Sequence, residues 1–297
     1  MSLIEKVAGR LGAESKAQDR ASEEAPEQVA DDAPVIAAPM AAAAEEPASP
    51  SPRSADASAP IDLERLRDLG YLTPGNHMGP LAEEFRRIKR PLLVGIASAI
   101  DDGGGAPGGS NLLLVTSALP GEGKTFVSIN LAISMCSEIE TTVLLVDCDA
   151  RRGSMAERLG VPDGPGLLDV LENRARLEDV IVGTSSPKLS VLPAGRAERI
   201  DELFASAEMR DLLSEISARY NDRVIVLDSA PLMVASESLV LAHQVGSIVM
   251  VVSADDTSAA TVQEALALLE GFDNVSLLLN KASRTLGKDA SYYDYRR

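Results

Sequence analysis

The chain has 297 residues, of which 45% are hydrophobic, and carries a formal net charge of -17. This length allows one large domain or two small ones, and the negative charge argues against nucleic acid or an anionic membrane surface as a partner. The two cysteines, Cys136 and Cys148, lie in apolar runs without nearby cysteine or histidine. This pattern argues against a disulfide framework or a cysteine metal site, and predicts buried thiols in a reducing compartment.

Residues 1–60 are predicted to lie outside the main folded domain. Residues 1–12 have apolar side chains at helical spacing, which predicts an amphipathic helix that docks on a partner or a membrane surface, or else a frayed terminus. Residues 13–60 are rich in Ala, Pro, Glu, Asp and Ser and contain no aromatic residue, so we expect a disordered linker. No apolar run approaches the roughly 18 residues of a spanning helix and no signal peptide opens the chain, which predicts a cytosolic protein.

The remainder of the chain predicts an α/β fold. Residues 61–100 contain two helical patterns, and residues 101–110 form a glycine-rich loop. From residue 111 to 285, strand-like apolar runs alternate with amphipathic helical segments, which predicts a mostly parallel sheet with helices on both faces. The predicted strands are 111–117, 142–148, 189–193, 223–228, 247–253 and 275–280. Ligands are expected at the carboxyl ends of these strands.

The most specific local signal is a P-loop between the first predicted strand and the following helix. Backbone N–H groups of such a loop and the positive end of the helix stabilise phosphate oxygens. Lys124 is expected to reach the β and γ phosphates of ATP, and the Thr125 hydroxyl to ligate Mg2+. Ala118 stands where the motif usually has its first glycine. The predicted nucleotide-binding residues of the loop are Pro120, Gly121, Glu122, Gly123, Lys124, Thr125 and Phe126.

Three carboxylates follow predicted strands. Asp147 and Asp149 are two positions apart at one strand end, so their side chains point the same way. Such a pair suits Mg2+ coordination and acceptance of a hydroxyl proton, and either residue remains a candidate base. Asp228 ends another strand, as expected of a Walker B carboxylate that holds Mg2+. The predicted metal ligands are Thr125 and these three carboxylates, and the predicted catalytic residues are Lys124 and the same three.

Two further residues near strand ends are candidates for nucleotide contacts. Asn280 ends the last predicted strand, where it either contacts adenine or forms a turn. Arg151 follows the Asp147–Asp149 pair by two residues and is included among the predicted nucleotide-binding residues.

The last residues, 286–297, form a tyrosine-rich tail. Three of the five tyrosines of the chain, Tyr292, Tyr293 and Tyr295, lie in its last six residues. A terminal segment has little packing to lose and is easily carried into a neighbouring cleft. We interpret the three tyrosines as phosphoacceptors, with a solvated aromatic tail as the alternative. Each phosphate adds about -1.5 to -2 charges, enough to repel an acidic protein surface.

These features together resemble the bacterial BY-type tyrosine kinases tied to exopolysaccharide export. The matching motifs are the P-loop, the Asp-x-Asp-x-Arg sequence from Asp147 to Arg151, Asp228 and the tail. The sequences MSLIEK, GYLTP and EEFRRIKRPLL look most like the exosortase-associated (PEP-CTERM) tyrosine autokinase branch. Gly153, where relatives often have proline, alters no proposed ligand. The resemblance covers residues 61–297 and the first dozen, and it implies ATP-dependent autophosphorylation of the tail.

The resemblance also implies partners. Glu84, Arg87 and Arg90 match a Glu-x-x-Arg-x-x-Arg helix that packs one subunit against the next in a ring, although a solvated helix with a Glu84–Arg87 pair is the alternative. An inner-membrane polysaccharide co-polymerase or chain-length protein is the expected activator, and a tyrosine phosphatase resets the tail. The chain would then lie peripherally at the inner membrane through that partner and control exopolysaccharide output.

Two other functions fit parts of the pattern. A MinD/ParA-like ATPase switch shares the sheet and the P-loop, but its signature lysine early in the loop is replaced here by Leu119. A non-catalytic adaptor of a polysaccharide co-polymerase would need only bound nucleotide, and the intact set of charged residues argues against it.

Overall fold

Within the residues that the structure describes, seven strands form one sheet, and six of them are parallel. The computed structural model describes residues 59–76, 78–101, 109–152, 154–162 and 164–283. The strands are β1 (Leu112–Ser117), β2 (Thr142–Asp147), β3 (Val182–Gly183), β4 (Leu189–Leu192), β5 (Arg223–Asp228), β6 (Ser247–Ser253) and β7 (Val275–Asn280). Their order is β3-β4-β2-β5-β1-β6-β7, and β3 runs antiparallel to β4. The predicted mostly parallel sheet is confirmed, with every predicted strand correct to within one residue. The two-residue β3 was not predicted because it is too short to show a periodic pattern.

Helices connect the strands and cover both faces of the sheet. They are α1 (Leu63–Asp68), α2 (Pro80–Asp101), α3 (Lys124–Met135), α4 (Ser154–Leu159), α5 (Leu167–Leu171), α6 (Leu177–Val180), α7 (Ile200–Phe204), α8 (Ala207–Arg219), α9 (Glu237–Ala242) and α10 (Ala259–Leu268). Within the described ranges, no helix combines the length and the apolar character needed to cross a membrane.

Alternate side chains of each strand enter two apolar layers. Leu114 of β1 is fully buried in the layer that contains apolar residues of α8, α9 and α10. Leu113, its neighbour, is fully buried in the layer formed with α1, α2, α3 and α4. Burying one such side chain stabilises the fold by about 1.5–3 kcal/mol. The edge strand β7 differs, because Leu277 and Leu279 are 52% and 69% exposed while Leu278 between them is buried.

The segment before α1 is part of this fold. The Ala59 N–H donates to the Gly183 carbonyl at 2.9 Å, and the Asp62 N–H donates to the Leu159 carbonyl at 3.0 Å. Ala59, one of the last two residues of the predicted linker 13–60, therefore contacts β3. The predicted helix at 1–12, the rest of the linker, residues 102–108 of the glycine-rich loop and the tail at 286–297 lie outside the described residues.

The two cysteines have the inert environments expected of structural thiols. Cys148 is buried, and Cys136 is half-buried with its Sγ donating to the Lys188 carbonyl at 3.2 Å. Burial raises the pKa of Cys136 to about 12. Neither thiol is therefore ionised near neutral pH.

Candidate active site

The central strands of the sheet bring the predicted charged residues together. β1 lies between β5 and β6, and β5 lies between β1 and β2. Asp147 and Asp228 end β2 and β5 and are directly paired in the strand register. The P-loop leaves the end of β1 at the same edge, so all three elements meet there as expected for parallel strands.

Lys124 forms the centre of a buried charge network. It is the first residue of α3 and is 6% exposed. Its Nζ lies 2.6 Å from Asp149 Oδ2. The Asp149 N–H donates to Asp147 Oδ1 at 3.1 Å, so the lysine and the two carboxylates form one connected set. The structure therefore brings together Lys124, Asp147 and Asp149, as the sequence predicts.

Asp228 joins this set from the neighbouring strand. The Ser128 hydroxyl donates to Asp228 Oδ1 at 3.0 Å. Burial raises the pKa of Asp228 to about 6, against the lowering effect of the nearby Lys124 charge. Hydrogen bonds from the Thr125 and Ser128 hydroxyls also lower this pKa. The contact with Thr125 puts two of the predicted Mg2+ ligands next to each other.

The electrostatics of Asp147 indicate a site suited to a cation. Burial, followed by the negative charges of Asp228 and Asp149, raises the pKa of Asp147 to about 7. Closely spaced carboxylates cannot all ionise easily without a compensating positive charge. A bound divalent cation would supply that charge and favour the ionised forms.

The arrangement fits Mg2+ better than a metal held by protein ligands alone. In the part of the chain that the structure describes, no three His, Cys, Asp or Glu side chains form a ready metal-binding group. Mg2+ usually keeps several waters and takes one or two carboxylates plus substrate phosphates. Thr125 and Asp228 are the pair that holds it in P-loop NTPases.

The P-loop has the backbone geometry that its glycines predict. Gly123 has φ of 98°, a left-handed conformation that favours glycine. A Cβ at this position would lie 2.1 Å from Asn280 Nδ2. The same amide donates to the Glu122 carbonyl at 2.8 Å. Asn280 therefore supports the P-loop from the end of β7, a role that neither predicted alternative for it included.

Glu122 turns its carboxylate into the protein, although the sequence indicated only a nucleotide-binding loop residue. It is 3% exposed and accepts hydrogen bonds from the Leu119 N–H at 2.6 Å and the Ser253 N–H at 3.2 Å. The Thr257 hydroxyl also donates to it. Glu122 thus ties the loop to the end of β6.

Replacing Glu122 with alanine is expected to lower the free energy of unfolding by about 2–4 kcal/mol, because two backbone N–H groups lose a charged acceptor. Thermal unfolding measures the change. Glu122→Gln is the matched control, since its amide oxygen can still accept one of these hydrogen bonds, and it should lose about half as much. Equal stability of Glu122→Ala and the wild type would contradict this role.

Arg151 does not line the cavity in front of the P-loop. Its Nε lies 3.4 Å from Glu237 Oε1, and its guanidinium also pairs with Asp201. The side chain is 54% exposed. The predicted nucleotide-binding role of Arg151 has no support from this position.

A cavity of about 490 Å³ opens in front of the P-loop. Its lining residues are Gly121, Gly123, Lys124, Thr125, Phe126, Arg152 and Arg158. Pockets of this size hold small-molecule ligands. Sequence reasoning missed Arg152 and Arg158. The only signal available for Arg152 was its position beside the Asp-x-Asp-x-Arg motif.

The predicted oligomer-contact residues lie away from the cavity on α2. Glu84, Arg87 and Arg90 are all exposed. Arg87 Nε lies 3.6 Å from Glu83 Oε1. The three tail tyrosines, Tyr292, Tyr293 and Tyr295, lie outside the described residues.

Comparisons with known proteins point to one group of enzymes. No family model matches the chain. The chain is 26% identical to the tyrosine-protein kinase wzc of Salmonella typhimurium, over 78% of this chain and 31% of that protein. It is 28% identical to the putative tyrosine-protein kinase CapB of Staphylococcus aureus, over 72% of this chain and 90% of that protein. Among solved structures, the VpsO kinase domain has 30% identity and a TM-score of 0.54, over 69% of this chain and 100% of that chain. The chain thus spans less than a third of the length of the wzc protein.

Proposed function

Because the chain belongs to the bacterial tyrosine-protein kinase family, we propose that it is an ATP-dependent protein-tyrosine kinase that phosphorylates tyrosines of its own C-terminal tail. The main support is the buried network of Lys124, Asp147, Asp149 and Asp228 at the mouth of the P-loop. A lysine and several carboxylates at the end of a P-loop strand are the groups that phosphoryl transfer requires.

The proposed mechanism begins with Lys124. It exchanges its ion pair with Asp149 for oxygens of the β and γ phosphates, which frees the Asp149 carboxylate beside the reacting centre. Thr125 and Asp228 hold Mg2+, which neutralises phosphate charge when bound. Water exclusion by the surrounding buried side chains strengthens these interactions.

Phosphoryl transfer then moves one proton and one phosphoryl group. Asp147 or Asp149 accepts the phenol proton as the tyrosine oxygen bonds to the γ phosphorus. The bond from that phosphorus to the β–γ bridging oxygen breaks, and ADP leaves. A base works best when its pKa lies near the operating pH, and in the nucleotide-free protein burial and the charges of Asp228 and Asp149 raise the pKa of Asp147 to about 7. The other candidate, Asp149, has the position expected of the base, because its carboxylate contacts Lys124.

The strand that leads toward the tail contacts the P-loop. β7 ends at Asn280, whose amide contacts the P-loop, and the Ser283 N–H donates to Asp255 Oδ2 at 3.1 Å. From residue 283, the nine residues to Tyr292 can extend over about 30 Å at most. With this reach, we propose that a tail tyrosine enters its own cavity or that of an adjacent subunit.

The proposal extends to partners that the family resemblance implies. A second copy of the chain contacts Glu84, Arg87 and Arg90, whose side chains are exposed on α2, and forms a ring. An inner-membrane polysaccharide co-polymerase activates the kinase and holds it at the membrane, a tyrosine phosphatase resets the tail, and exopolysaccharide output follows the phosphorylation state. Within the family, we assign the chain to the exosortase-associated (PEP-CTERM) branch.

Incubation of the purified full chain with Mg-ATP tests the proposal. Mass spectrometry is expected to find phosphate on Tyr292, Tyr293 or Tyr295, and none when all three are phenylalanine. In a mixture, an active chain that lacks tail tyrosines should label the intact tail of a Lys124→Met chain if transfer occurs between subunits. Release of inorganic phosphate without phosphotyrosine would instead indicate a MinD/ParA-like ATPase. Neither product would indicate an adaptor.

A further inference from the structure

Two arginines line the cavity in front of the P-loop. Arg152 and Arg158 line the cavity together with Lys124. Both follow β2, the strand that ends in Asp147, and Asn280 ends β7 on the other side of β1. Through Lys124, which pairs with Asp149 at 2.6 Å, the cavity that these arginines line adjoins the carboxylate cluster.

Arg158 is held in place by a buried tyrosine. Its Nη1 donates to the Tyr71 hydroxyl at 2.8 Å. Tyr71 is 6% exposed, and its ring centroid lies 4.9 Å from that of Phe126, two residues after Lys124. Burial raises the pKa of Tyr71, the Arg158 charge lowers it, and the Asp228 charge raises it further. The Tyr71 hydroxyl is thus within electrostatic range of both the arginine and the carboxylate end of the site.

The segment that carries Tyr71 is fixed to two helices of the site. The Leu72 N–H donates to Asn130 Oδ1 in α3 at 2.6 Å. The Asp62 N–H donates to the Leu159 carbonyl at the end of α4, next to Arg158. Tyr71 therefore packs against α3 and α4 at once. A side chain held in this way loses little freedom when it binds a ligand.

We propose that Arg158 binds the terminal phosphate of a bound nucleoside triphosphate and that Tyr71 is its positioning residue. A planar guanidinium matches phosphate oxygens in two-point hydrogen bonding, which an ammonium group cannot do. This inference rests on the proposed function, because it requires a nucleotide at the P-loop with its terminal phosphate toward Asp149. A diphosphate lacks the group that Arg158 contacts. Arg158 therefore gives the site its preference for the triphosphate.

Binding of AMP-PNP, a non-hydrolysable triphosphate, and of ADP to the full chain with Mg2+ tests the inference by calorimetry. Arg158→Ala is expected to weaken AMP-PNP binding by about 10- to 100-fold, the effect of losing one charge-assisted hydrogen bond. ADP binding should change by less than about 3-fold. Tyr71→Phe keeps the ring and removes only the hydroxyl, so it should lower AMP-PNP affinity by about 3- to 10-fold and leave ADP affinity unchanged.

Arg65→Ala is the matched control. Arg65 pairs with Glu157 at 2.7 Å on the exposed side of α4, so this variant removes another arginine contact to the same helix. Both nucleotide affinities should stay at the wild-type values. Arg158→Lys keeps the charge without the planar guanidinium and should recover part of the lost AMP-PNP affinity.

The outcomes separate this inference from the proposed function. A wild-type chain that binds neither nucleotide would overturn both. Suppose instead that the wild-type chain binds both nucleotides. If Arg158→Ala then keeps both affinities, or loses affinity for AMP-PNP and ADP by the same factor, only the role of Arg158 is overturned. If Arg158→Ala does not fold, Tyr71→Phe and Arg158→Lys provide the test. The inference is overturned if the ratio of AMP-PNP affinity to ADP affinity in both variants equals that of the wild type.

Discussion

Replacing Lys124 with methionine is expected to lower tail phosphorylation by at least about 100-fold, because the phosphates lose their buried positive charge. Initial rates of phosphotyrosine formation measure this effect. The same change should lower the free energy of unfolding of the nucleotide-free protein by about 3–5 kcal/mol, since Asp149 loses its ion-pair partner at 2.6 Å while remaining buried.

A double variant separates these two effects. Lys124→Met combined with Asp149→Asn removes the unpaired charge, so thermal stability should largely return while phosphorylation stays absent. If Lys124→Met alone is as stable as the wild type, the buried pair does not form in solution. If it phosphorylates its tail at the wild-type rate, Lys124 is not the phosphate-binding lysine.

The convergence of Asp147 and Asp228 could be predicted from the sequence because each ends a run of buried aliphatic residues. Such runs are local, and the carboxyl ends of parallel strands share one edge of a sheet. The prediction needed no knowledge of side-chain direction beyond the alternation along a strand. For the same reason the strand bounds were accurate, whereas β3, with two residues, left no pattern to detect.

The remaining site residues depend on contacts between distant parts of the chain. Arg158 and Tyr71 are 87 positions apart, and Glu122 and Ser253 are 131 apart. No local pattern links such pairs, and Tyr71 was visible only as part of the GYLTP sequence. Arg151 shows the opposite relation between motif and contact. Its position in a motif predicted a nucleotide contact, but carboxylates from α7 and α9, elements later in the chain, attract its guanidinium elsewhere.

Asp147→Asn is expected to make the nucleotide-free protein more stable than the wild type above neutral pH and, if Asp147 rather than Asp149 is the base, to reduce phosphorylation by about 100-fold or more. The pKa of Asp147 is raised to about 7 in the folded protein, compared with about 4 in an unfolded chain. The folded state therefore binds more protons than the unfolded state between these values, and stability falls as the pH rises through that window. Asp228, with a pKa raised to about 6, adds to the same trend.

Asparagine at position 147 stays neutral, so the stability of the variant falls much less than that of the wild type as the pH rises. The excess of its melting temperature over that of the wild type should be small at and below about pH 4, where Asp147 is largely protonated in both states, and should grow to about 5 °C or more at pH 8. Asp222→Asn, which removes an exposed carboxylate next to β5, is the control and should show no such divergence. Saturating Mg2+ and AMP-PNP should reverse the order at pH 8, because the ionised carboxylate then faces a cation and the ligand stabilises the wild type more. If the difference in melting temperature between the wild type and Asp147→Asn stays constant from pH 5 to pH 8, Asp147 does not hold a proton in the folded state.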